Sequence, residues 1–171
     1  MGIVERAAEF CLRVHGGVRR KNGLPYILHP METAVIIGTM TDDDEVIAAG
    51  LLHDVVEDTE CGLEEIRREF GDRVTELVLL ETEDKRKGTP KNETWKIRKE
   101  ESLDILRSSG SRDAYILWMG DKLSNMRSFY NMKLKEGDSM WKRFNESNPD
   151  MQAWYYYAVE DVLSDLRDTA A

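Results

Sequence analysis

The sequence predicts an all-α fold, from three observations. Apolar residues recur at helical spacing, helix-start and helix-stop residues punctuate the chain, and period-two runs of β-branched residues bounded by hairpin turns are missing. The 171 residues are 41% hydrophobic, enough to bury a core, and contain no repeat, low-complexity tract or Pro/Ser-rich linker, so one domain is expected.

The first helix is expected over residues 3–19, with Val4, Ala7, Ala8, Cys11, Leu12 and His15 on one face. Asn22-Gly23-Leu24-Pro25 is turn chemistry, and His29-Pro30 reads as a loop residue followed by proline at the first position of a helix over 31–40. Thr41 or Asp42 caps the third helix, whose residues 46–52 are apolar on nearly every side, which makes it central. Gly62 caps a short helix that stops at Gly71, and Asp72 starts another reaching Thr82. Residues 83–91 form a charged loop. Helical patterns then cover 92–108, 112–131 and 149–166, with Ser111 capping the second and Asn148-Pro149 starting the last. Trp95, Trp118, Trp141 and Trp154, with Met119, Met126, Met132 and Met140, read first as packing residues.

Composition excludes several function classes. With 24 Lys and Arg against 33 Asp and Glu, the net charge of -9 argues against a binder of nucleic-acid polymers, whose affinity rests on neutralising phosphates. Residues 46–52, the longest apolar stretch, fall far short of a membrane span, and no signal peptide is read. Cys11 and Cys61 lack CxxC spacing, so the expected setting is the reducing cytoplasm. An anionic ligand would need local attraction, which Arg19-Arg20-Lys21 and Lys85-Arg86-Lys87 offer. Oligomeric state is not readable from these patterns.

The chemistry concentrates at His53-Asp54, which ends an apolar run where a charged side chain is costly without a partner. A metal ion is the natural partner. His29 offers a second imidazole and Asp121, within the apolar 116–120 context, a second carboxylate. A mixed His/Asp set with open positions suits one Mn²⁺, Mg²⁺, Fe²⁺ or Zn²⁺ in a catalytic role. Glu57 and Asp58 each follow a proposed ligand by four residues, so a helix stacks them beside the metal pair, where a carboxylate can orient or deprotonate an attacking water. Taken alone, each piece has a bland reading: a capped helix end for His53-Asp54, a solvated terminus for Glu57-Asp58, a charge paired with Arg127 for Asp121. Asn125, four residues after Asp121, can hold substrate or ligand through its amide.

Read together, the stretches 20–30 (RKNGLPYILHP), 50–59 (GLLHDVVEDT) and 120–127 (GDKLSNMR) resemble the HD-superfamily hydrolases, and more narrowly the hydrolase domain of RelA/SpoT proteins and the small alarmone hydrolases. The resemblance implies one HD-type helical domain over 1–171, with Mn²⁺ held by His29, His53, Asp54 and Asp121. It implies that Glu57 and Asp58 handle the water, that Arg20 and Asn125 meet the nucleotide, and that pyrophosphate leaves the 3′ position of ppGpp or pppGpp. Synthesis by this chain is not expected, since the synthetase domain of the long relatives needs several hundred further residues. Lys21 can balance phosphate charge, Tyr26 either lines the base pocket or is a core tyrosine, and Tyr155 falls in rough register with a substrate-contacting tyrosine of the small alarmone hydrolases. Two positions depart from the family: Trp118 stands where a lysine is usual, and Ser124 where His is frequent. The alternatives are the same chemistry on the 2′-phosphate of NADPH or on a nucleoside phosphate, and a catalytically silent nucleotide-binding module.

Overall fold

The computed structural model describes residues 1–86 and 88–167; Lys87 of the second basic cluster and residues 168–171 lie outside the described residues. The described chain is all-α: α1 Ile3–Val14, α2 Leu28–Ile37, α3 Asp44–Leu52, α4 Val55–Asp58, α5 Leu63–Phe70, α6 Asp72–Glu81, α7 Lys91–Ser109, α8 Arg112–Glu136 and α9 Pro149–Val162, with 3₁₀ segments at Gly137–Arg143 and Leu163–Leu166. Extended pairing among these residues is confined to a single bridge between Arg19 and Pro25. No helix among them is long and apolar enough to cross a membrane.

α3 is central, as its composition predicts. Val46, Ala48, Ala49, Gly50, Leu51 and Leu52 are all buried, and the helix packs against α1, α2, α6 and α8. Its cap is Asp43, whose carboxylate accepts from the Glu45 amide, rather than Thr41 or Asp42. Arg73 of α6 then joins that cap to α8, reaching Asp43 and Glu45 at 2.7 Å and Asp113 at 2.8 Å.

Several other boundaries differ from the sequence reading. α1 ends at Val14 instead of residue 19, because the chain turns through Gly17 at φ +79° to form the Arg19–Pro25 bridge. α2 starts three residues early, so His29 lies in its first turn and not in a loop. Pro30 is tolerated there because the first amides of a helix have no partner within it. α8 runs on past Asn131 to Glu136, and the helix predicted over 149–166 tightens into 3₁₀ geometry at Leu163. Met119, Met132 and Met140 pack as expected, but Met126 is exposed.

α2 runs close against both α3 and α8. A Cβ on Gly50 would collide with the Ile37 side chain, and one on Gly120 would lie 2.7 Å from Ile37 Cγ1 and 3.1 Å from the Thr33 carbonyl oxygen. Backbone cannot yield as a flexible side chain does. Gly120→Ala is therefore expected to destabilise the fold by about 1–3 kcal/mol, read as a lowered midpoint in denaturant unfolding.

A second expectation concerns pH. The Arg73 hydrogen bond, aided by the backbone amides of Glu45 and Val46 against some burial, holds the Asp43 carboxyl below its ordinary 3.8. That contribution is full above 3.8 and lost as pH falls through the lower folded value. The Tm gap between wild type and Arg73→Met should be present at pH 7 and close in acid.

Candidate metal centre

Three helices converge on one point. α2 supplies His29 from its first turn, α8 supplies Asp121 from its middle, and the break between α3 and α4 supplies His53 and Asp54 as consecutive cap residues. His53 closes α3 and Asp54 opens α4, so the two neighbours sit at a helix break, where His53 Nε2 and Asp54 Oδ2 approach to 3.1 Å. One ligand atom each from His29, His53 and Asp121 lies within 4.8 Å of the others, and all three residues are buried. Asp54 Oδ2 stands 3.1 Å from His53 Nε2 and 3.4 Å from His29 Nε2. Asp121 Oδ1 stands 3.0 Å and 3.5 Å from His29 and His53 Nε2.

The hydrogen bonds on the far side of each ring show what these atoms face inward. His53 Nδ1 lies 2.8 Å from the Gly50 carbonyl, which can only accept, so Nδ1 carries a proton. Ser124 Oγ gives its own proton to Glu32 and therefore accepts from His29 Nδ1 at 2.8 Å. Both Nε2 atoms are left presenting lone pairs, 3.2 Å apart, between two carboxylates. Four donors, three of them on buried residues, converge here. A divalent ion fits that donor set.

Electrostatics point the same way. Burial opposes charge on His53, but Asp54 and Asp121 override it and raise its affinity for a proton well above the ordinary value. Burial likewise works against Asp54 and Asp121, yet the imidazoles, and for Asp121 first the Lys122 ammonium, hold both carboxyls well below the usual range. A proton and a metal ion compete for the same lone pairs.

Glu57 and Asp58 lie beside this cluster, and Lys85 clamps them together at 2.6 Å and 2.7 Å. Glu57 Oε2 also accepts from the Glu83 amide, and the Glu83 carboxylate is fixed by Arg98 and Lys99, so the 83–86 loop is tied to α4. Burial, then Asp54, raises the Glu57 carboxyl above its ordinary value, with Lys85 opposing. The Tyr26 hydroxyl stands 2.5 Å from Asp54 Oδ2 and 2.8 Å from Asp58 Oδ2, sharing one proton between them. Tyr26 thus joins the acid pair and also lines the cavity. Its ring stacks on buried His15 at 4.6 Å.

The cluster opens into a cavity of about 560 Å³, a size typical of small-ligand sites. Arg20, Lys21, Lys85, Lys91, Lys99 and Lys122 line it, an accumulation of cations in a chain of net charge -9. Partial desolvation, then Lys91, Lys85, Lys99 and Arg20, lower the affinity of Lys21 for its proton. Arg20 donates to Asn125 Oδ1 at 2.5 Å, and Asn125 in turn donates to Asp121. Tyr155 lines the cavity from α9 but is buried, edge-on to Trp95 with Lys99 Nζ 4.9 Å from its ring. The structure thus brings every predicted site residue except His53 to the lining of one cavity, and His53 stands behind it against His29, Asp54 and Asp121. Arg127, considered as a partner for Asp121, pairs instead with Glu32, and Lys122 takes its place. Sequence reasoning missed the roles of Ser124, Glu32, Lys122, Glu81 and Lys85, whose partners lie 27 or more positions away, apart from Lys122 beside Asp121.

The sequence pattern of the HD domain family matches residues 7–143. A GTP pyrophosphokinase of Streptomyces coelicolor is 40% identical over 131 residues, covering 76% of this chain and 15% of that protein. A guanosine-3′,5′-bis(diphosphate) 3′-pyrophosphohydrolase of Aquifex aeolicus is 34% identical over 131 residues, 74% of this chain and 18% of that one. The chain thus spans under a fifth of these curated relatives. Among solved structures, a metazoan ortholog of SpoT described as hydrolysing ppGpp superposes with a TM-score of 0.72 at 25% identity, over 100% of this chain and 89% of that one. A Listeria monocytogenes protein superposes with a TM-score of 0.67 at 35% identity, over 83% and 82% of the two chains.

Since Ser124 fixes the His29 tautomer, Ser124→Ala should weaken divalent-metal affinity by about 10- to 100-fold while leaving the far-UV spectrum unchanged, measured by competition with a metal-binding dye.

Proposed function

The chain belongs to the HD domain family, and on that premise we propose that it is a metal-dependent hydrolase releasing pyrophosphate from the 3′ position of guanosine-3′,5′-bis(diphosphate), ppGpp, or its pentaphosphate analogue. One observation carries this reading: the buried His/His/Asp donor set, flanked by two Lys85-bridged carboxylates, opens into a cation-lined cavity. The names of the Aquifex relative and the metazoan structural neighbour supply the nucleotide. The reading takes residues 1–171 as one HD-type domain, supported by α9, whose Tyr155, Val159 and Val162 join the core built by the earlier helices.

His29, His53, Asp54 and Asp121 would hold the ion, for which we propose Mn²⁺ because the set mixes imidazole and carboxylate with no thiolate. A divalent ion there supplies positive charge for the phosphoryl oxygens and for the attacking water. Glu57, a carboxylate whose proton affinity is raised by burial, accepts the proton of that water, and Asp58, tied to Tyr26, orients it. The water oxygen bonds to the 3′ phosphorus as the bond to the ribose 3′ oxygen breaks, and the proton taken up by Glu57 passes on to that leaving oxygen, giving GDP and pyrophosphate from ppGpp. Arg20, positioned by Asn125 and 5.9 Å from the Tyr26 ring centroid, presents its guanidinium to the base or a phosphate. Lys21 meets phosphate charge at the mouth, and Tyr155 closes the inner wall. The cytoplasm is the proposed compartment, where the free thiols of Cys11 and Cys61 stay reduced.

Steady-state hydrolysis with added Mn²⁺, resolving nucleotide and phosphate products, tests the reading. Pyrophosphate and GDP from ppGpp are expected; orthophosphate from NADPH or a nucleoside phosphate would move the chemistry to another nucleotide, and no turnover would leave a binding module. Glu57→Gln should retain metal while turnover falls by about 10²- to 10⁴-fold; unchanged turnover would remove Glu57 as the base.

A further inference from the structure

Two of the chain's three histidines belong to the candidate donor set, and the third, His15, has so far been given no task. It is 3% exposed, and neither ring nitrogen has a hydrogen-bond partner. Burial lowers its affinity for a proton, against the pull of Asp54 and Asp58, so the imidazole stays neutral. Buried polar atoms without partners cost free energy, which leaves the flat face of the ring as the part in use. That face lies on Tyr26: the ring centroids are 4.6 Å apart and the planes 25° from parallel, a stacked pair. The backbone brings the two rings together. His15 caps the end of α1, the Val18 amide donates to the His15 carbonyl at 3.1 Å, and the Tyr26 amide donates to the Val18 carbonyl at 2.9 Å.

We propose that His15 is a positioning residue: by stacking on Tyr26 it holds the phenol hydroxyl between Asp54 and Asp58, and so braces one candidate metal ligand together with the carboxylate that orients the water. The proposal rests on the metal-dependent hydrolase reading for what those two carboxylates do. Tyr26 Oη stands 2.5 Å from Asp54 Oδ2 and 2.8 Å from Asp58 Oδ2, and hydrogen bonds weaken steeply as they are bent. A ring that turns about its own axis leaves the hydroxyl in place, but a swing toward one face carries it off both acceptors. His15 fills the space on one face. The other neighbours hold the ring less closely: His29 meets it in a T-shaped contact at 6.2 Å, and the Arg20 guanidinium is 5.9 Å from its centroid. An aliphatic side chain in place of the imidazole would leave part of that flat face uncovered and forfeit its contacts.

The test is a double-mutant cycle of His15→Leu and Tyr26→Phe, read in Mn²⁺ affinity by competition with a metal-binding dye and in kcat and KM for ppGpp. Tyr26→Phe keeps the ring, and with it the stack, and removes only the hydroxyl. In His15→Leu, Mn²⁺ affinity and kcat should each fall by about tenfold, the lower end of the effect of groups that support metal ligands, with KM within about twofold of the parent. In Tyr26→Phe protein the same replacement should change either quantity by less than about twofold, because the group being positioned is already absent. His15→Phe, a flat ring without the nitrogens, should return both quantities to within about threefold of the parent. An unimpaired His15→Leu protein, or additive losses in either quantity, would make His15 a core residue only and overturn the proposal. So would a His15→Phe protein that keeps the parent's far-UV spectrum and is as impaired as His15→Leu. Coupling in Mn²⁺ affinity with no turnover by the parent would keep the positioning role and overturn the hydrolase reading; turnover with additive losses would do the reverse.

Discussion

The close approach of α2 to α3 and α8 is the constraint on which the rest of the molecule depends. It requires Gly50 and Gly120 to carry no side chain, because Ile37 and the Thr33 backbone occupy the space a Cβ would need. At that spacing His29 of α2 reaches both His53 and Asp121. Across that contact the two Nε2 lone pairs stand 3.2 Å apart. Packing and site chemistry are therefore set by the same two residues.

Around this contact the charges are arranged in opposed layers. The innermost layer is anionic, formed by Asp54 and Asp121, and is braced by Lys122 and Tyr26. Next comes the Glu57/Asp58 pair under Lys85, and beyond it the cationic mouth with Lys21 and Lys91. A molecule entering such a site meets attraction for phosphate first and a carboxylate-rich interior second. The acidic charge of the whole chain says little about this local field, because the basic residues that matter line one cavity.

Much of this was legible in the sequence, and the reason is chemical economy. With only three histidines and a buried His-Asp dipeptide, the candidate donor set had few possible members, and spacing of four tied Glu57, Asp58 and Asn125 to it. Helix ends were read where capping chemistry is local, as at Gly62, Gly71, Ser111 and Asn148. They were misread where the local signal allows two endings. α2 begins before Pro30 because an early helical proline loses no hydrogen bond, and α1 stops early because residues 15–25 fold back on themselves. Glu81 stayed invisible since its meaning comes from Lys122, 41 positions away, and Ser124 registered only as a departure from the family. Met126 has the apolar character of a core residue but is 49% exposed.

The break between α3 and α4 carries a consequence for engineering. His53 and Asp54 face a common point at the interruption between α3 and α4, and such an interruption is what stabilisation by idealised helices removes. Joining the two segments into one uninterrupted helix would add backbone hydrogen bonds and rotate the dipeptide's side chains about 100° apart. Thermal robustness and metal capacity are in conflict at this one peptide link, so a more regular molecule would be an emptier one.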